Sequence, residues 1–271
     1  MSLCLWLIPL GVLVGALGTL IGAGGGFLLV PVLLLMYPQE SPELVTSVSL
    51  AVVFLNAFSG SVAYARMRRI DYRSALLFGP ATIPGAVAGA IAVAYVPRRF
   101  FNGIFGVVLV ALCVFLLIWP NRRDGSAAPR GRGRAKRTIV DANGTSYVFS
   151  FNPMLGLGLS IVVGFVSSIL GIGGGIIHVP ALVHLMNFPA HVATATSHLM
   201  LAMMACAGSA VHAATGELAR GAGAVMCLGI GALVGAQAGA RISSLIRGVW
   251  IIRALAVALG CTGIRVFTMA F

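Results

Sequence analysis

Acidic residues are scarce in this chain: six among 271, at Glu40, Glu43, Asp71, Asp124, Asp141 and Glu217. Each falls in a loop or at the end of an expected helix, and none lies in the middle of a long apolar run. Pumps driven by protons or sodium commonly hold carboxylates within the membrane. Their lack argues against a cation-selective site, while leaving ion coupling through carbonyls and hydroxyls open. Catalytic patterns are missing too. There are no paired carboxylates, no HExxH and no G-x-S-G nucleophile context, so no enzyme, metal site or cofactor is expected. The cysteines Cys4, Cys113, Cys206, Cys227 and Cys261 all sit in apolar runs without a CxxC pair. They read as small core residues, with no disulfide implied.

What is abundant is apolar sequence. Hydrophobic residues make up 59% of the chain and charged residues only 9%, against about 25% charged in soluble domains. The apolar runs extend from end to end, which predicts an all-α polytopic membrane protein embedded in the lipid bilayer. The first segment, Leu3 to Ile21, lacks a positive n-region and a clear cleavage site, and is read as part of the mature protein. The net charge of +12 does not point to nucleic acid. Seven of the basic residues fall between Arg122 and Arg137, and Arg66, Arg68, Arg69 and Arg73 form a second group. This is the pattern of cytoplasmic loops under the positive-inside rule, with anionic lipid as a further contact.

The chain is organised around Gly22-Ala23-Gly24-Gly25-Gly26, closed by Pro31 after a short apolar run. The pattern recurs as Gly171-Ile172-Gly173-Gly174-Gly175, closed by Pro180, at an offset of 149 residues. Adjacent glycines break a helix, because they lose the most backbone entropy on ordering. Within lipid such a break survives only where protein or a water-filled cavity satisfies the freed backbone groups. Two matching breaks are a pointer to a transporter's binding site. Leu3 to Met36 is also the wrong length for a simple crossing. A straight helix of that run would measure about 51 Å, against roughly 30 Å of hydrocarbon, and two crossings need about 40 residues. A helix, a glycine turn and a shorter returning helix fit better, as a hairpin whose tip lies inside the membrane.

Further apolar segments follow: Leu44 to Ala65, Ser74 to Val96 with Pro80 and Pro84, and Phe100 to Trp119. The second half repeats them. Thr194, Thr196 and Ser197 align with Thr46, Val48 and Ser49, and Gly235 and Gly239 with Gly85 and Gly89, at offsets of 148 to 150. Between the halves, alternating β-formers around Asn143-Gly144 predict a small β-hairpin with a type I′ turn. The expected division is a first transmembrane repeat over 1–120, a basic cytoplasmic linker with the hairpin over 121–150, and a second repeat over 151–271. If each glycine segment is a hairpin, the halves are inverted and the basic residues divide 14 inside to 4 outside; if each crosses once, the halves are parallel and the division is 13 to 5. Charge does not separate these, and the length argument favours two inverted five-helix repeats.

A helix N-terminus carries unpaired N–H donors and about half a positive charge, which suits an anion. The short helices after the breaks present such termini at Gly24, Gly25 and Gly26 and at Gly173, Gly174 and Gly175. The hydroxyls of Thr46, Ser47 and Ser49, and of Thr194, Thr196 and Ser197, are the nearby candidate donors. Each also has the plainer use of bonding its own helix backbone. His178 follows the second glycine cluster and His198 follows Thr196-Ser197; either suits donation to an anion or proton carriage, beside the plainer role of a buried structural histidine.

These features resemble the TauE/SafE sulfite exporter family: the doubled G-x-G-G-G-x4-P signature, the Thr196-Ser197 element and the paired glycines 85/89 and 235/239. The resemblance spans nearly the whole chain outside the linker. It implies a permease exporting a small sulfur-containing oxyanion, such as sulfite, a sulfonate or a sulfoacetate-like anion, by alternating access in the bacterial inner (cytoplasmic) membrane. Val48 in place of Thr, and His198 where an aliphatic residue is usual, are departures that bear on substrate rather than class. An anion channel or a non-transporting membrane sensor is the competing reading, and homodimerisation through small-residue faces is compatible with the sequence.

Overall fold

The computed structural model describes residues 2–118, 135–243, 245 and 248–268. Trp119, Arg247 and the linker stretch 120–134 lie outside the described residues. The order of elements is α1 (Ser2–Ile21), α2 (Gly26–Met36), α3 (Pro42–Arg66), α4 (Tyr72–Ala92), α5 (Arg98–Ile118), β1 (Ala135–Val140), β2 (Ser146–Phe151), α6 (Pro153–Ile169), α7 (Gly175–Pro180), α8 (Ala190–Ala214), α9 (Glu217–Arg220), α10 (Ala222–Ser243) and α11 (Gly248–Thr268). A 3-10 turn, Val93–Tyr95, extends α4, and a π-helical turn, Ala181–Leu185, extends α7. Helices α3, α4, α5, α8 and α10 are long and apolar enough to cross a membrane, and shorter apolar helices accompany them. This is a mostly-α polytopic membrane fold. Its helix starts are marked locally: Ser41 accepts the Leu44 N–H with Pro42 in the first turn, and Asn152 accepts the Met154 N–H ahead of Pro153.

Glycine decides which helices pair. α1 and α10 lie side by side and run in the same direction, with Gly11 against Leu228, Gly15 against Ala232 and Gly239 against Ala16. α4 and α6 do likewise, with Gly156 against Phe78 and Gly89 against Phe165 and Ile169. A Cβ at Gly85 would sit 2.7 Å from the Phe165 nitrogen, so only a glycine lets these backbones touch. In lipid, where burial of apolar surface drives little, such close approach is a main source of helix–helix attraction. Each half thus lends its opening helix to the other half.

Both glycine segments return to the face they left. The start of α10 shares a pocket with Tyr37 and Glu40 at the end of α2, and α10 starts beside the start of α1. In the second half Gly156, near the start of α6, lies against Met186, just past the end of the π-helical turn. α5 and α11 pack antiparallel, Gly263 against Leu109 and Gly260 against Cys113.

The expected β-hairpin is present, with Ala135 to Val140 paired antiparallel to Ser146 to Phe151. Its turn is not type I′. Gly144 has φ 82°, but Asn143 does not share the positive φ that a type I′ turn requires. The Asp141 carboxylate instead accepts the Asn143 and Thr145 N–H groups at 2.9 and 3.0 Å, which favours a longer loop with glycine alone left-handed. The cysteines also depart from expectation. Cys113, Cys206 and Cys261 are free, and two of these are exposed rather than core. Cys227 is disulfide-bonded.

Candidate functional site

The glycine signature resolves into two jobs. Gly22 and Gly24 hold φ of 84° and 74°, and Gly171 and Gly173 hold 67° and 65°. Left-handed backbone at alternate positions explains G-x-G, and in the first turn Gly25 is left-handed as well at 83°, since a side chain at any of these strains the chain. In the first turn Ala23 and Gly24 N–H groups both donate to the Gly18 carbonyl; in the second, Ile172 N–H donates to Ser167. The last glycine of each cluster serves contact instead. A Cβ on Gly26 would lie 2.7 Å from the Ile172 carbonyl carbon and oxygen, and one on Gly175 would fall onto the Gly22 carbonyl oxygen. The two turns therefore dock on each other at the centre of the protein, and the starts of α2 and α7 meet there.

Serines from the long helices fasten this junction crosswise. Ser49 of α3 donates to the Gly171 carbonyl at 2.6 Å, and Ser197 of α8 donates to the Gly22 carbonyl at 3.4 Å. Thr46 packs on Gly171 and Thr194 on Gly22, while Val53 and Leu201 both contact Gly24 and Gly173. All of these polar groups are buried.

The remaining expected residues divide. The Thr46 hydroxyl bonds its own helix, donating to Glu43 at 3.0 Å. The Thr194 and Ser47 hydroxyls are buried without a hydrogen-bond partner among the described residues. Thr196 lies away from the turns, accepting the Asp71 N–H at 3.0 Å where α8 passes the start of α4. Its counterpart Val48 packs on Gly221 at the start of α10. His178 stands beside the second turn, its Nδ1 only 2.8 Å from where a Cβ on Gly174 would be. His198 approaches the first turn through Thr19: its Nε2 lies 3.2 Å from the Thr19 hydroxyl, which donates to Asn56. Tyr64 donates to the Thr19 carbonyl at 2.8 Å and packs edge-on against His198. Thr19 and Tyr64 were not singled out from the sequence. The one signal for Thr19 was Ser168 at the equivalent place before the second turn.

The two faces of the molecule differ. On the face where α2 ends and α10 begins, a pocket of about 190 Å³ reaches inward past Leu33, Tyr37, Val45 and Val48. At its mouth Arg220 meets Glu40 at 3.3 Å and Glu217 at 2.8 Å, and the Glu217 hydrogen bond holds the Arg220 guanidinium above its ordinary pKa. On the opposite face the β-hairpin covers the helix ends. Phe149 and Phe151 pack against Phe188 with tilted rings, their centres 4.3 and 5.1 Å from it. Arg69 pairs with Asp141 at 3.5 Å, and the Ala142 N–H donates to Met67. Among the described residues, no three His, Cys, Asp or Glu side chains are grouped to hold a metal.

A family model described as Sulfite exporter TauE/SafE matches residues 7–266, both glycine turns included. The chain belongs to the TauE/SafE sulfite exporter family. A relative from Bacillus subtilis, described as Probable membrane transporter protein YunE, is 31% identical over 94% of this chain and 95% of its own length. A probable membrane transporter protein of Methanocaldococcus jannaschii is 26% identical over 70% of this chain and 65% of its own length. One from Xylella fastidiosa is 27% identical over 66% of this chain. No solved structure matches the chain. Membership makes this a multi-pass protein of a transporter family, in keeping with its apolar helices.

Proposed function

We propose that the chain exports a small sulfur-containing oxyanion across the inner membrane by alternating access, with the docked glycine turns as the binding site. The observation that carries this is the junction itself. Two helix starts meet at the buried centre, beside a Thr194 hydroxyl that lacks a partner among the described residues. Two positive helix ends repel unless an anion lies near, and a buried orphan hydroxyl calls for an acceptor. Ser49 and Ser197 each tie one turn to a long helix of the other half by a single hydrogen bond, which an incoming anion can exchange for its own. His178 and His198 flank the junction as further donors.

The order of contacts supports two halves of opposite orientation. α1 starts on the face with Glu40 and Arg220, and α6 on the face with the β-hairpin. The groups Arg66 to Arg73 and Lys136-Arg137 lie on the hairpin face, which we read as cytoplasmic.

The test is titration of the purified chain in detergent with sulfite, sulfoacetate, taurine and sulfate. Saturable binding of at least one, weakened about tenfold or more in Thr194→Val, is the expected result. Equal affinity in Thr194→Val and in His178→Gln would move the site elsewhere.

A further inference from the structure

Away from the glycine turns, on the hairpin face, a second pocket of about 490 Å³ lies between β1 and the start of α4. Arg73, Lys136 and Arg137 line it, with Asp71 as the one carboxylate. That carboxylate is already engaged. Its two oxygens accept the Ser74 N–H at 3.3 Å and the Ser74 hydroxyl at 2.5 Å. Arg137 reaches it only at 3.8 Å through Nε, which is buried and makes no hydrogen bond. Among the described residues, the hydrogen bond from the Arg137 guanidinium is exposed, to the Lys136 carbonyl at 3.3 Å. Three cations thus line a pocket with one carboxylate, and among the described residues the Arg137 fork, 6.0 Å from the Phe151 ring centre, is only loosely paired.

We propose that this pocket binds a small oxyanion, free or as a lipid headgroup, through Arg73, Lys136 and Arg137. Such a ligand competes with Asp71 for Arg137. The competition matters for the fold, because β1 is held to the helices through that pair and through Arg69–Asp141. The Asp71 N–H also donates to Thr196 on α8, so the pocket adjoins the packing of the long helices. The site is independent of the glycine turns and stands whether or not they carry a sulfur oxyanion.

Arg73 and Lys136 are exposed, so their replacement leaves the packing intact. The experiment places the full chain in nanodiscs of phosphatidylcholine, with or without phosphatidylglycerol. Inorganic phosphate is titrated, and retained phosphatidylglycerol is counted by native mass spectrometry. Wild type and Arg73→Gln/Lys136→Gln are compared after melting shows both folded. Saturable phosphate binding in phosphatidylcholine discs, weakened about tenfold or more in the double variant, supports a free-anion site. Phosphatidylglycerol retained by wild type and lost from the double variant supports a headgroup site. Equal behaviour of the two proteins toward both probes, or no binding of either probe by wild type, overturns the proposal. Thr194→Val serves as the separating control: it is expected to keep phosphate binding here while losing the central site.

Discussion

Gly26→Ala tests the docking of the two turns without straining the backbone, because Gly26 is helical. The new Cβ would lie 2.7 Å from two Ile172 backbone atoms and 2.8 Å from the Gly171 oxygen. Unstrained contacts of this kind relax at about 3.5 Å. No side chain can swing away, so the turns must separate, at a cost of about 1 to 3 kcal/mol for overpacking. Alanine regains about 1 kcal/mol of helix preference, leaving a net loss of about 0 to 2 kcal/mol. Gly158→Ala is the matched control, since nothing lies within 4 Å of its Cβ and it sits exposed in α6. That variant gains about 0.5 to 1 kcal/mol. The assay is thermal unfolding in detergent, with both variants beside wild type. Gly26→Ala should melt below wild type and Gly158→Ala at or above it. Equal melting temperatures would mean the turns are not packed as described.

Other consequences follow from the same geometry. Ser49→Ala should cost about 1 kcal/mol in unfolding measurements and Ser197→Ala less, because one donates at 2.6 Å and the other at 3.4 Å. Arg98 donates to the Leu34, Tyr37 and Glu40 carbonyls at 2.7, 3.1 and 2.5 Å, so Arg98→Gln should destabilise by about 2 kcal/mol, and Arg98→Lys should not restore it, since an ammonium lacks the planar fork. In the hairpin, Gly144→Ala should cost about 1 kcal/mol at φ 82°, while Asn143→Ala should be near neutral; a type I′ turn would make both costly, and limited proteolysis of the loop reads the difference.

The broken helices, the repeat and the membrane class were legible because each has a local signal. Three close glycines, a fixed offset and uninterrupted apolar runs all survive in one dimension. The crosswise bonds were not legible: Ser49 and Gly171 are 122 residues apart, and nothing in either segment names the other. Alignment grouped Thr196 with the site serines because the repeat matched it to Val48. Its partner proved to be the Asp71 N–H, as Val48's proved to be Gly221, so the repeat preserved a packing position there rather than a donor at the turns. The pairing of α1 with α10 was equally hidden, although the glycines that permit it stood in the sequence. Small residues announce close approach but not to which helix. The polar cluster around Thr19 was missed for a related reason. His198, Asn56 and Tyr64 come from two helices and converge only once the first turn is folded.

The most direct test of the central claim is anion-exchange flux in proteoliposomes loaded with sulfite, sulfoacetate, taurine or sulfate. Wild type, Gly158→Ala and Gly26→Ala would be reconstituted in equal folded amounts. The account predicts saturable, substrate-selective flux for wild type and Gly158→Ala, and its loss in Gly26→Ala. Undiminished flux in Gly26→Ala, or flux that fails to saturate in wild type, would contradict a carrier that works through the docked glycine turns.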